Sequence, residues 1–382
     1  MPEETPQTTK GALLDWFEKR INLTELFALF TSLGLFYVEV DTQKQLRPAV
    51  REALAKPMAS YARWPRVLGP LAVLFFLFQF ASGVLLAFYY RASPSEAYES
   101  LRFILRDVHF GWLLHQTHRW GAQLLIAVLI LRMVRFFFEG IYKKPRELLW
   151  VSGALLLLVA THADLTGRLL TWNQISYWST VRGVELFFSL PLVGSVLGFL
   201  IGGQEITGAT LSRFYILHIL VLPAAVLLLL YMNFATVRRL GLVVDATSEK
   251  VSGREQYRDY LYNLAILVVL IVGVVVSLAV LQPVAFRPEI DPAATPLGAQ
   301  PAWYLLAFHS LVDTSLGGLP DFIKGAVLLV LLLVFVLWPF VDRSRAITFR
   351  ERRPVVIVGV LALLLWLLLT LYGMAVESVG AA

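Results

Sequence analysis

"HQTHRWGAQLLIAVLILRMVR", residues 115–135, decides the class of fold. It is an apolar run that opens on a histidine cluster and closes on two arginines, Arg132 and Arg135. Imidazole and guanidinium are both expensive in hydrocarbon, so an apolar segment that keeps them points to a functional site by default. What His118 binds is the first question. Why Arg132 stands fourteen positions later, about four helical turns down the same face, is the second.

The rest of the chain has the same character. Of its 382 residues, 58% are hydrophobic and 16% charged, with a mean hydropathy of +0.68, too oily for a soluble protein of this size. Apolar runs able to cross a hydrocarbon core of roughly 30 Å fall at about 67–90, 113–137, 148–166, 212–236, 260–281, 322–341 and 354–376. The expectation is an all-α integral membrane protein with seven spans. Basic residues are retained on the cytoplasmic side, and here they alternate: Arg63 and Arg66 before the first span, Arg135, Lys143, Lys144 and Arg146 between the second and third, Arg238 and Arg239 after the fourth, Arg345, Arg350, Arg352 and Arg353 before the last. This places the amino terminus in the cytoplasm and the carboxyl terminus outside an inner or cytoplasmic membrane. Residues 1–10 lack the basic start and apolar core of a secretory signal. The net charge of +6 is this loop bias, without the basic and aromatic face that nucleic-acid binding needs. With no cysteine, disulfides, thiolate metal sites and thioether-attached heme are excluded. A redox cofactor must be held by histidine or by shape.

Three segments follow from the pattern. Residues 1–60 form an amino-terminal segment in which 12–58 mixes apolar and charged positions at helical spacing, either an interfacial helix or an ordinary cytoplasmic helical cap. A four-helix unit occupies 61–241 and a three-helix unit 242–382, divided by the polar stretch "DATSEKVSGREQYRDY". Between the third and fourth spans, 167–211 has short apolar pieces broken by Gly and Pro and is expected to form surface-lying helices. The long proline-rich connection 282–321 is expected to be functional, as long loops in compact proteins usually are.

His118 in the second span and His218 in the fourth lie at one depth, near the outer ends of their helices. Two imidazoles from facing helices are what a heme iron needs beyond its four porphyrin nitrogens. Gly69 and Gly83 in the first span are fourteen apart, as are Gly153 and Gly167 in the third. That spacing is about 21 Å of rise and nearly four whole turns, so each pair lines one face. Gly83 and Gly167 would flank a heme between the histidines, and Gly69 and Gly153 mark a second plane nearer the cytoplasm. Close helix packing is the alternative reading of these glycines.

The chain resembles the cytochrome b of quinol-oxidising bc and bf complexes, in a fused form covering both polypeptides of the bf type. "LDWFEKR", "SGVLLAFYYR", "FGWLLHQTHRWGAQ", "YKKPRELLWVSG", "WNQISYW", "LPLVGS", "TLSRFYILHILVLP" and "VRRLG" recur in family order, followed by "LAVLQP", "PAATPL" and "PAWY". The resemblance implies a heme-binding four-helix bundle plus three further transmembrane helices. It also implies two stacked hemes, each held by two histidines. Here the outer pair is His118 and His218, with Arg119 beside it among the heme-binding residues. The inner pair is replaced by Arg132 and Asn233. Arg132 is read either as snorkelling its charge to water or as filling the space of an absent inner heme, with a cavity persisting beside Gly69 and Gly153. The family's Pro-Glu-Trp-Tyr becomes Pro301, Ala302, Trp303, Tyr304, and alanine cannot act as a base. Its neighbouring turn becomes Thr171, Trp172, Asn173. With Pro301, Trp303 and Tyr304, Trp172 and Asn173 are candidate quinone-site residues, and Asp164, His162 and His309 are candidate substitutes for the lost carboxylate. His115 and His109 are expected outside or above the heme face, in interfacial hydrogen bonding.

The function expected is that of a one-heme membrane electron-transfer subunit, carrying one low-spin heme b with two histidine ligands. It would link quinone to a peripheral partner on the outer face, such as an iron-sulfur or c-type cytochrome protein, amid membrane lipids and in a possible homodimer. The alternatives are a divergent quinol–cytochrome c reductase subunit and a non-catalytic membrane scaffold.

Overall fold

Residues 57–58, 67–188, 190–201, 203, 205–240, 255–296, 299–316, 318–344 and 350–380 are described in the computed structural model. Most of the helix expected over 12–58 and of the dividing stretch lies outside these residues, and the last two residues of that expected helix, Pro57–Met58, are a strand and not helix.

The long apolar runs become long helices because a backbone in hydrocarbon must satisfy its own hydrogen bonds. Helix α1 (Leu68–Ala87) is followed by the short α2 (Ala97–Arg106), then by α3 (Gly111–Glu139) and α4 (Glu147–Leu169). Gly140, at φ 67°, caps α3 in the left-handed conformation and starts the reversal into α4. In α2 the buried Ala97, Leu101 and Ile104 recur at helical spacing, while Glu99 and Arg102 pair on the exposed face. It therefore lies along the surface. The pieces between the third and fourth spans behave likewise, as α5 (Gln174–Phe188) and α6 (Val193–Ile201).

The fourth span is not a uniform helix. It begins as α7 (Gly208–Ile216), widens into a π turn at Leu217–Val221, and continues as α8 (Leu222–Leu240). Pro223, which has no N–H to give the preceding turn, is the second residue of α8, just past the widened segment. The carboxyl-terminal part contains α9 (Tyr257–Leu281), α10 (Trp303–Ser310) with a second π turn at Leu311–Ser315, α11 (Asp321–Val336), the single turn α12 (Trp338–Val341), and α13 (Arg353–Gly380). Among the described residues, five helical stretches, Leu68–Ala87, Gly111–Glu139, Glu147–Leu169, Gly208–Val237 and Arg353–Val376, are long and apolar enough to cross a membrane. The other two expected spans correspond to α9, with its apolar part Ala265–Leu281, and to the 16-residue α11.

Helices α1, α3, α4 and α8 pack consecutively, α1 on α3, α3 on α4 and α4 on α8. Phe75, Phe76, Leu125, Leu129, Leu156 and Val226 fill the space between them. Helix α9 packs on α3 and α10 on α13. At the basic-loop end a polar clasp joins the two parts. Fully buried Arg352 donates to the carbonyls of Phe137 and Phe138 and to the Tyr142 hydroxyl. Tyr142 donates to Asp342 at 2.5 Å, and Lys143 pairs with Asp342 at 2.6 Å. Burial and the Asp342 hydrogen bond push the Tyr142 hydroxyl up to about 12. Burial works to raise the Asp342 carboxyl, but hydrogen bonds from Lys143, Tyr142 and Ser344 outweigh it and hold the group at about 2. Farther out, Pro57–Met58 pairs antiparallel with Glu255–Gln256.

Candidate functional site

His118 is on α3, and His218 is the second residue of the π turn between α7 and α8. Their ring centres are 6.2 Å apart and their planes nearly perpendicular, at 77°. The hydrogen bonds fix both tautomers. The Ser82 hydroxyl already donates to the Phe78 carbonyl, so at 2.8 Å its oxygen accepts from His118 Nδ1. His218 Nδ1 lies 2.9 Å from the Ala163 carbonyl, which can only accept. Each Nδ1 thus carries the proton and each Nε2 keeps a lone pair, the state a metal requires. A Cβ on Gly83 would meet His118 Cε1 at 3.3 Å, and one on Gly167 would meet His218 Cε1 at 2.6 Å. The outer glycines make room for the imidazoles themselves.

Both histidines, both glycines, Arg119 and Asp164 line a cavity of about 520 Å³. Cofactor pockets run from roughly 300 to 1,000 Å³. These residues fit a heme with two imidazole ligands.

Asp164 is the hub of a second cluster. Its Oδ1 accepts from Gln123 Nε2, and its Oδ2 from Arg168 Nε and the Tyr304 hydroxyl, each at 2.7 Å. Trp303 Nε1 donates to Gln123 Oε1 at 3.0 Å. The Trp303–Tyr304 pair is therefore fastened to α3 and α4 beside the cavity, while Ala302 is buried and contributes no polar atom. Trp172 is buried in left-handed backbone at φ 45°. Asn173 donates to Thr171 Oγ1 and accepts from the Ser176 N–H. A polar cavity of about 310 Å³ adjoins this turn, where Asn173, Pro301, Arg119 and Arg168 meet.

The other candidates separate. His162 donates to the Leu158 carbonyl of its own helix at 2.7 Å, while Asp164 accepts from Gln123, Arg168 and Tyr304, on α3, α4 and α10. His309 sits on α10 with its Nε2 buried and without a hydrogen-bond partner. His109 packs edge-on against Phe110. The expectation for His115 is corrected. It lines both cavities, and its buried Nδ1 makes no hydrogen bond, because three residues before His118 is one turn up the same face.

At the inner plane Arg132 does not snorkel. It is buried, its Nη2 donates to Asn233 Oδ1 at 2.6 Å, and its guanidinium lies 4.4 Å over the Phe136 ring. Asn233 Nδ2 donates to Ser152 Oγ and the Leu229 carbonyl. A Cβ on Gly153 would meet Met133 Sδ at 3.0 Å and Arg132 Nη1 at 3.2 Å, whereas one on Gly69 would meet nothing within 4 Å. These residues do not fit a second heme with two imidazole ligands: neither side chain supplies an imidazole, and a hydrogen bond spans the helices where a ring would stand.

A family model described as cytochrome b/b6/petB matches residues 53–241, and one described as cytochrome b(C-terminal)/b6/petD matches 289–380. The chain belongs to the cytochrome b family. It is similar to the cytochrome b6 of Synechococcus sp. (strain JA-3-3Ab), 39% identical over 209 residues, 54% of this chain and 96% of that one. It is also similar to the cytochrome bc complex cytochrome b subunit of Chlorobaculum thiosulfatiphilum, 33% identical over 321 residues, 81% of this chain and 73% of that one. A solved structure described as hyperthermophilic respiratory Complex III superposes with a TM-score of 0.71 at 25% identity, covering 94% of this chain and 91% of that one. Membership of the cytochrome b family implies heme b, electron transport and an integral membrane location. Ser82, Gln123, Arg168 and Thr166, whose hydroxyl lies 3.3 Å from His218 Nδ1, were not singled out from sequence. A signal was present for two of them: a hydroxyl residue directly precedes the outer glycine on both helices, Ser82–Gly83 and Thr166–Gly167.

Proposed function

We propose that the chain is the single-heme cytochrome b subunit of a bc-type complex, moving electrons between membrane quinone and a redox partner on the outer face. The observation that carries this reading is the pair of imidazoles with ring centres 6.2 Å apart, each Nδ1 hydrogen-bonded and each Nε2 free. A heme held by His118 and His218 would supply one-electron exchange at its iron. Ser82 and the Ala163 carbonyl orient the ligands, and Gly83 and Gly167 admit them. With Arg168 paired to Asp164, Arg119 leaves positive charge on the cavity wall, which favours the electron-rich state of what it encloses. The alternation of basic loops puts the amino terminus in the cytoplasm, and so puts this cavity toward the outer face. The names of the relatives, a bc complex subunit and a Complex III, support an iron-sulfur or c-type cytochrome partner there. The four-helix unit 61–241 holds the heme, and the three-helix unit 242–382 brings Trp303 and Tyr304 against it.

The Asp164–Tyr304 contact favours a second reading. It keeps a carboxylate beside the Pro301–Tyr304 segment although Ala302 can accept no proton, and so supports the alternative in which quinol oxidation is kept at the outer cavity.

Heme per polypeptide, measured on purified protein with its redox-difference spectrum, tests the proposal. One heme is expected, lost in His118→Ala and in His218→Ala. Two hemes would overturn the single-heme reading, and none would overturn the cytochrome reading of this site.

A further inference from the structure

Arg132 carries a charge that no residue of the described chain neutralises. It is 7% exposed and lies seven residues inside the Glu139 end of α3, about 10 Å at ~1.5 Å per residue. Its two partners, the Asn233 amide oxygen and the Phe136 ring, are both neutral. Among the described residues no carboxylate bonds to it, and Nε and Nη1 have no acceptor. Asn233 is itself anchored to Ser152 and Leu229, so its oxygen holds one edge of the guanidinium and leaves the other available. A guanidinium at this depth is costly unless it meets a counter-charge or water. Gly69 stands one residue inside the start of α1, with nothing within 4 Å of an added Cβ. Gly83 meets His118, and fourteen residues away along each helix Gly69 and Arg132 share a layer by the same register. The abundant anion of a membrane at this depth is phosphate, and its paired oxygens match the donor fork of arginine.

We propose that Arg132, oriented by Asn233, binds a phosphate oxyanion at the end of the bundle remote from His118 and His218, supplied by an acidic phospholipid headgroup or by free phosphate. The site is independent of the heme reading.

The test uses the full-length holoprotein purified in mild detergent and delipidated. Its melting temperature is followed on adding phosphatidylglycerol, zwitterionic phosphatidylcholine or inorganic phosphate, with the heme absorbance recorded in the same samples. Phosphatidylglycerol is expected to raise Tm more than phosphatidylcholine, with the difference lost in Arg132→Met and partly kept in Arg132→Lys. The same dependence on Arg132 with inorganic phosphate would assign the anion to solution. A response equal in wild type and Arg132→Met, carried by exposed basic residues, would overturn the proposal, as would no response at all. Should Arg132→Met fail to accumulate, Asn233→Ala keeps the charge and removes the orienting oxygen. An undiminished response in that variant would also overturn it.

Discussion

Ser82 and the Ala163 carbonyl set the proton on each histidine, and only one of these acceptors can be removed by substitution. Ser82→Ala leaves His118 Nδ1 without its acceptor, and outer-shell partners of this kind are worth ~10–100-fold in metal affinity. Heme retention through purification should fall accordingly, read from the absorbance ratio of heme to protein, while the far-UV spectrum stays unchanged. Asp164→Asn acts differently. It strips the carboxylate from buried Arg168, a loss of about 3–5 kcal/mol for a broken buried pair, and should lower Tm while loosening Trp303 and Tyr304. At this scale the histidines and glycines were legible because burying an imidazole or spacing glycines by whole turns leaves a pattern in one dimension. The Asp164 partners were not, because Gln123 and Arg168 are ordinary residue types whose roles depend on which helices meet. His115 does lie one turn above His118, but it lines the two cavities in place of the expected interfacial hydrogen bonding.

Helices in hydrocarbon are long and self-satisfied, so their existence could be read from length and hydropathy, and short apolar pieces broken by Gly and Pro marked α5 and α6 as surface-lying, while α2 was not foreseen. The π turn at Leu217–Val221 could not be read, since a single widened turn is chosen by what it must face. It gives His218 its place between α7 and α8. Gly167→Ala tests how tightly this element is fitted. An added methyl would stand 2.6 Å from His218 Cε1, overpacking of ~1–3 kcal/mol. His218 should be displaced, so the variant should lose the low-spin heme spectrum. Gly69→Ala, in open space, should keep it.

Across the whole molecule, the clasp of Tyr142, Lys143, Asp342 and Arg352 ties the turn between α3 and α4 to the segment before α13. Its acid limit can be stated with a sign. The Asp342 carboxyl is held at about 2 when folded, against ~3.9 in an unfolded chain, so its contribution is complete above the unfolded value and disappears as pH falls from ~4 toward 2. Thermal melting of detergent-solubilised protein across that window should show the decline, and Asp342→Asn should remove that part of the slope. The clasp was hidden in the sequence because its two halves are some two hundred positions apart and two of its members, Lys143 and Arg352, read as topological charge. The pairing of Pro57–Met58 with Glu255–Gln256 has a different consequence. The polypeptide enters and leaves its histidine-bearing bundle side by side, so that bundle is, in wiring, a self-contained insert. Such a unit can be transplanted, duplicated or reopened at new ends without any connection having to stretch.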